Sequence, residues 1–381
     1  MIAKKTILIL SEWFLPGYLA GGPVQSINTL TKHLANDFNF KIISTDKDFK
    51  TSKPYDNIKS DEWNIFDKRE VFYISQKNLN KKYILQLISS TPHDVIYLNS
   101  LYSKHFTINP LIWKLKKQIK SQIVLAPRGM LSEGALAVKP FKKKIFLTYA
   151  KWFDFFINIH WQSTSPQETI DIKKKIGSKV SISEISNLPG FSEEIQFIEK
   201  KENELKLFFI SRISKIKNLS FAIEVLKEIK EYAISFDVYG PIEELDYWNM
   251  CQENAKALPN NISFNYKGVL KPTSINSAIA KYHSLILPTE NENFGHMIVE
   301  TLQNGRMVLI SNQTPWRDLE NENVGFDIPL ANKQKFVDAI KKLCALNQNE
   351  FNEMSEKCSS FIHKKLDIDS IKKQYIKLFN S

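Results

Sequence analysis

Short apolar runs recur along the whole chain, and segments with helical spacing lie between many of them. In the first half these runs are residues 6–10, 40–45, 71–75, 95–99, 123–126 and 157–164. In the second half they are residues 207–210, 236–238, 262–268, 284–289 and 308–311. Residues 103–120 and the segments following Asn218 and Lys271 carry the helical pattern between them. Strand-length apolar runs that alternate with helices imply a parallel α/β sheet, because each crossover helix covers a sheet face. At 381 residues the chain is long enough for two such domains. The first is expected to close near Leu188-Pro189-Gly190, where the polar, acidic residues 192–204 read as a linker.

The densest chemistry lies between residues 284 and 305. The run Ser284-Leu285-Ile286-Leu287-Pro288-Thr289 reads as a buried strand. Glu292-Asn293-Phe294-Gly295-His296 forms the loop after it, and a helical pattern carrying Glu300 about two turns in ends at Asn304-Gly305. Gly295 stands where that helix begins. Unpartnered backbone N–H groups at a helix start attract anions, and Glu292 and Glu300 flank them as acceptors. The arrangement suits a ligand with a diphosphate at its centre and hydroxyl-rich sugars at its ends; a capped surface helix with two solvated acids is the plainer reading. Upstream, Leu207-Phe208-Phe209-Ile210-Ser211-Arg212 is a strand ending near an arginine, with Lys217 five residues on. Two fixed cations there would stabilise a departing diphosphate.

Charge is uneven. The net charge is +11, yet residues 1–190 hold 28 Lys+Arg against 15 Asp+Glu, and residues 101–151 hold 11 basic residues against Glu133 alone. The block 139–156 interleaves Lys139, Lys142, Lys143, Lys144 and Lys151 with Phe141, Phe146, Tyr149, Trp152, Phe153, Phe155 and Phe156. It reads either as a helix with an aromatic core face or as a helix lying on anionic lipid. Cys251, Cys344 and Cys358 are too widely spaced for a disulfide framework or a zinc site, which suggests a reducing compartment. The apolar run near the N-terminus is too short for a signal peptide, and no stretch reaches the roughly 18 apolar residues of a spanning helix. A cytoplasmic protein is expected, with peripheral attachment to the inner face of the plasma membrane. Asp46-Lys47-Asp48 is an Asp-x-Asp of the kind that can hold a metal, but such triplets are common by chance, and the seven histidines show no ligand spacing.

Thr289 to Glu300, then Gly305 and Val308-Leu309-Ile310-Ser311, resemble the Glu-x7-Glu signature of retaining nucleotide-sugar glycosyltransferases of family 4, glycosyl transferases group 1, of the kind used in bacterial surface polysaccharide biosynthesis. The resemblance implies an α/β chain of the GT-B fold, with two Rossmann-like domains facing each other across a cleft. Residues 1–190 would be the acceptor-side domain and residues 191–365 the nucleotide-sugar domain. Residues 366–381 would be a terminal helix crossing back to the first domain. By the same resemblance, Arg212 and Lys217 stabilise the diphosphate leaving group, Glu292 binds the donor sugar and Glu300 the nucleotide ribose. Backbone groups at Phe294, Gly295 and His296 add to the donor site, and Gly21-Gly22 approaches the diphosphate from the other domain. Lys267 to Leu270 would lie near the base. Pro127-Arg128-Gly129-Met130-Leu131 is similar to a motif in a subset of these enzymes; Arg128 would touch a donor or acceptor oxygen, or serve as a structural ion-pair residue. Ser211 in place of Gly, and Asn187-Leu188-Pro189-Gly190 in place of an Asn-Gly pair, depart from the family's pattern. The implied partners are a nucleotide sugar, a glycan or lipid-linked glycan acceptor and an anionic membrane surface, with no metal, other cofactor or nucleic acid. The competing enzyme is a nucleotide-sugar epimerase of the same fold. The competing binder is a basic nucleic-acid-binding protein, which no sequence motif supports.

Overall fold

A computed structural model of the chain describes residues 4–67, 69–137, 140–191 and 194–381. Lys139, at the head of the aromatic–lysine block, and Ser192, at the start of the expected linker, lie outside the described residues. The chain divides into two units, one of residues 1–188 with 368–381 and one of residues 189–367.

In the first unit, β1 (Thr6–Leu10), α1 (Gly22–His33) and β2 (Asn39–Thr45) come first, then β3 (Trp63–Phe66), β4 (Arg69–Ile74), α2 (Lys81–Ser90) and β5 (Val95–Leu98). α3 (Asn109–Leu115), β6 (Gln122–Leu125), α4 (Glu133–Ala137) and α5 (Pro140–Trp152) follow, and β7 (Ile159–Ser163), α6 (Pro166–Lys175) and β8 (Ser181–Glu184) complete the sheet region. The sheet order is β3-β4-β2-β1-β5-β6-β7-β8, parallel except where β3 pairs with β4. The second unit contains β9 (Glu204–Ile210), α7 (Leu219–Leu226), β10 (Ala233–Tyr239), α8 (Leu245–Ala255), β11 (Ile262–Tyr266), α9 (Ile275–Ile279) and β12 (Ser284–Leu287). It continues through α10 (His296–Gln303), β13 (Met307–Ser311), β14 (Gly325–Ile328), α11 (Lys333–Ala345) and α12 (Gln348–Lys365). Its sheet runs β11-β10-β9-β12-β13-β14, all parallel. The last helix, α13 (Ile368–Asn380), belongs to the first unit, where Phe379 packs edge-on against Phe38 and Tyr97 at 5.5 and 5.6 Å.

Central strands are apolar on both faces because helices cover both, so alternation disappears from their sequences. β1, β5, β12 and β13 are buried almost throughout. His283, just before β12, is buried with them. Its Nδ1 accepts from the Lys206 N–H, its Nε2 donates to the Glu199 carbonyl, and burial holds its pKa down at about 4.

Several helices are shorter than their apolar spacing predicts. The helix expected over 103–120 is a π-helical turn (Lys104–Ile108) followed by α3. Pro110 suits the first turn of α3, and Lys117, at φ 59°, lies beyond its end. The helix following Asn218 runs only to Leu226, and the one after Lys271 divides into a 3₁₀ turn (Pro272–Ser274) and α9. α12 is an addition. Its start is written in a capping box, where Asn347 accepts from the Glu350 N–H and Glu350 returns to the Asn347 N–H.

Candidate active site

β9 and β12 are sheet neighbours, and the chain order reverses between them: β10 and β11 lie beyond β9, β13 and β14 beyond β12. Loops leaving the carboxyl ends of two such strands diverge and leave a crevice. From β9 the chain enters residues 211–218; from β12 it enters residues 288–295.

Hydrogen bonds tie these two loops to each other. The Glu290 N–H and the Thr289 hydroxyl both donate to the Ile216 carbonyl, at 2.8 and 3.0 Å. The Ser311 hydroxyl, at the end of β13, donates to the Thr289 carbonyl, and the Glu292 N–H donates to the Gln313 carbonyl at 3.0 Å. Lys217 ends a 3₁₀ turn closed by Asn218 in the left-handed region, which aims it toward the β12 loop. Its Nζ donates to Glu292 Oε2 at 2.7 Å, with the two side chains only 11 and 21% exposed. Burial pushes the Glu292 carboxyl up. The Lys217 charge and hydrogen bond, with His296 and the Asn293 N–H, outweigh that and hold it below the usual carboxylate value.

Arg212 is held from the other side. Gly240, at φ 139°, lets the turn after β10 press against the β9 loop, since a Cβ there would sit 1.8 Å from the Ser211 carbonyl oxygen. The Ile213 and Glu243 N–H groups then bond across to Pro241 and Ile213. Glu243 Oε1 and Oε2 both accept from Arg212 Nη1, at 2.9 and 2.8 Å. Glu243 was not singled out in the sequence. Its partner comes from a neighbouring strand 31 residues away, and that adjacency appears only in the sheet order.

Gly295 is the N-cap of α10 at φ 79°, ψ 60°. Phe294 is buried beneath it, with the His296 ring against its edge at 4.8 Å and Trp316 Nε1 donating to its carbonyl at 2.6 Å. Trp316 therefore packs under the loop rather than presenting a face to a ligand. Glu300 is 7% exposed and lies just over one turn into α10, not two, because the helix starts only at His296.

Gly21, Gly22 and Arg128 lie in the first unit. Gly21 takes φ 71° immediately before α1. Arg128, at φ 55°, donates from Nε to Asn99 Oδ1 at 2.6 Å, from Nη1 to Asn187 Oδ1 and from Nη2 to the Tyr97 hydroxyl at 2.8 Å; Tyr375 of α13 joins the same cluster. These side-chain partners are neutral, so the structural alternative for Arg128 takes the form of a hydrogen-bonded network rather than an ion pair. The next residue, Gly129, donates its N–H to buried Glu168, which also takes the Thr164 N–H. The Asp-x-Asp is used internally. Asp46 accepts from the Ser60 hydroxyl, and Asp48 accepts the Tyr18 and Leu19 N–H groups, bracing the loop that precedes Gly21. Among the described residues no three His, Cys, Asp or Glu side chains are grouped to hold a metal. Among the described residues, no helix is long and apolar enough to cross a membrane.

The family described as glycosyl transferases group 1 matches residues 191–364. No curated protein matches the chain. Solved structures match along nearly its whole length. Sucrose-phosphate synthase from Thermosynechococcus elongatus superposes with a TM-score of 0.71 at 13% identity, covering 99% of this chain and 98% of that one. Anabaena HepE in complex with UDP and glucose superposes at 0.69 and 15% identity, covering 99 and 100%. WaaG, a glycosyltransferase involved in lipopolysaccharide biosynthesis, superposes at 0.62 and 11% identity, covering 98 and 99%. At these identities the superpositions establish the fold, and the family match covers the unit that carries Arg212, Lys217, Glu292 and Glu300. Residues 191–364 thus carry the glycosyl transferases group 1 match, and the whole chain has the GT-B fold.

Proposed function

We propose that the protein is a retaining, family 4 glycosyltransferase that moves a sugar from a nucleotide-diphosphate sugar to a hydroxyl of a lipid-linked glycan, in the assembly of a polysaccharide, O-antigen or capsule. The observation that carries this reading is the Lys217–Glu292 pair beside the Gly295 helix start at the β9/β12 switch point. Glu292 orients the donor sugar through its hydroxyls, and Glu300 takes the ribose. Lys217, Arg212 and the first-turn N–H groups of α10 neutralise the diphosphate as it leaves. The bond between the anomeric carbon and the phosphate oxygen breaks, and the acceptor oxygen bonds to that carbon on the same face. The acceptor's proton passes to the departing phosphate oxygen, so no carboxylate nucleophile is required. Arg128 supports the loop that carries it.

Two features support a membrane-borne acceptor: the balance of +10 over residues 101–151 and the exposed aromatics of α5. The protein then works in the cytoplasm, peripherally on the inner face of the plasma membrane. HepE in complex with UDP-glucose and WaaG in lipopolysaccharide biosynthesis are consistent with this donor and acceptor chemistry. The test is a screen of UDP- and GDP-sugars, read as free nucleotide, with the anomeric configuration of any product assigned by NMR. The expected result is nucleotide release and a retained anomer, undiminished by EDTA. An inverted product, or activity that vanishes with chelator and returns with magnesium or manganese, overturns the mechanism. Conversion of the donor sugar without transfer would identify an epimerase.

A further inference from the structure

α5 has two unlike apolar faces. Successive helical residues advance about 100° around the axis. Phe146, Leu147 and Ala150 therefore share one side, where they pack on the core of the first unit. Phe141, Ile145, Tyr149 and Trp152 fall within about 80° of each other on the opposite side, and they are 76, 40, 53 and 79% exposed. Phe153, stacked on Tyr149 at 6.2 Å, extends this surface at 55%. A run of large exposed apolar side chains marks a surface that meets something apolar.

Lysines border the stripe. Lys142 lies along one edge and Lys144 and Lys151 along the other. On the Lys144–Lys151 side, an open pocket of about 610 Å³ lies between α4, α5 and α6, with Lys174 and Lys175 as its α6 wall. Lys143 is fixed at this pocket, donating to the Ala135 carbonyl at 2.5 Å and lying 5.3 Å over the Tyr102 ring. Five lysines line the space, and the acid paired with one of them, Glu133 on Lys174 at 3.4 Å, is itself 81% exposed.

We propose that this pocket seats the phosphate of an anionic lipid in a bilayer, with α5 lying in the plane of the interface and its aromatic stripe inserted. The proposal rests on the membrane side of the function above and supplies its site. A soluble anion would account for the lysines but not the stripe, and an apolar protein partner for the stripe but not the lysines. An anionic amphiphile accounts for their adjacency.

The test measures co-sedimentation of the full chain with phosphatidylcholine vesicles, with and without phosphatidylglycerol, in the absence of donor and acceptor. Wild type should bind only the anionic vesicles, and less tightly as salt rises. K174Q/K175Q, on α6 and off the stripe, should weaken binding on the order of tenfold or more, at about fivefold per lysine. The charge-matched pair K364Q/K365Q on α12 should change it by less than about twofold. F141S/W152S should also release the protein; both side chains are mostly exposed, and unchanged circular dichroism would show that the fold is kept. Failure of wild type to bind anionic vesicles at low salt overturns the proposal, as does equal weakening by the two lysine pairs. So does tighter binding to single-stranded RNA, or pyrophosphate binding as tight as vesicle binding and indifferent to F141S/W152S. Any of these leaves nucleotide release intact. Loss of nucleotide release with vesicle binding preserved would instead count against the transferase reading.

Discussion

Gly295→Ala probes the point where backbone geometry meets the candidate donor site. Gly295 takes φ 79°, ψ 60°, in the left-handed region. Alanine there costs about 1–2 kcal/mol, because its Cβ crowds the following carbonyl. The new methyl would also sit 2.8 Å from Ile298 Cδ1 and 3.2 Å from Glu292 Cγ. Ile298 is fully buried and has little room to yield, so overpacking adds about 1–3 kcal/mol. The combined cost, about 2–5 kcal/mol, should lower Tm by roughly 5–15 °C for a unit of this size. The contact on Glu292 Cγ has a second consequence. It displaces the carboxylate that Lys217 holds at 2.7 Å, so nucleotide binding should suffer beyond the loss of stability. Thermal unfolding with and without the released nucleotide reads both effects. In wild type, nucleotide at a hundred times its Kd raises stability by about 2.7 kcal/mol, and in the variant the gain at the same concentration should fall. Gly295→Asn carries the same Cβ but tolerates the left-handed region better, so it should lose less than alanine. A Gly295→Ala protein with Tm within about 1 °C of wild type and unchanged nucleotide affinity would refute the assignment of Gly295 as the conformational pivot of the site.

Three further outcomes are expected. Lys217→Ala and Arg212→Ala should each lower kcat by roughly 100-fold or more while the protein stays folded, since both remove charge that the leaving group needs; near-normal turnover in steady-state assays would dismiss the pair. Glu243→Ala should lower kcat by releasing Arg212, whereas Glu243→Gln should retain most activity because its amide oxygen can still accept from Nη1; equal loss in both variants would show that the charge of Glu243, not its position, matters. His283 titrates near 4 in the folded chain against an ordinary 6.5, so on acidification the unfolded chain takes up the proton first. Stability should be insensitive to this group above about pH 6.5, fall by about 3 kcal/mol between pH 6.5 and 4, and level off below; an unchanged slope in His283→Gln chemical denaturation would contradict it.

Residues that act through local pattern were legible in the sequence. β1, β5, β12 and β13 announce themselves because burial on both faces leaves runs such as Ile7-Leu8-Ile9-Leu10 with no polar break. The start of α10 announces itself through Gly295, and a two-domain α/β chain follows from the alternation. The edge strands β3, β8 and β14 do not, because each is four residues long and only partly apolar. Nor do the partners of the two site cations. Lys217 meets Glu292 across 75 residues and Arg212 meets Glu243 across 31. What joins them is the order β10-β9-β12, which no local stretch of sequence encodes.

α5 marks the sharpest boundary between pattern and packing. Phe146, Leu147 and Ala150 form an apolar helical face, and Phe141, Ile145, Tyr149 and Trp152 form another directly opposite. Periodicity weighs the two faces equally, and aromatic content favours the one that faces solvent. What decides is where the neighbouring strands end: β6 and β7 bring Leu125, Ile159 and Trp161 into the core cluster against which Phe146 and Leu147 pack, and leave the opposite face uncovered. A helix whose richer apolar face is the exposed one has not completed its burial within the chain, and the lysines along both edges restrict what can complete it to something apolar in its interior and anionic at its surface.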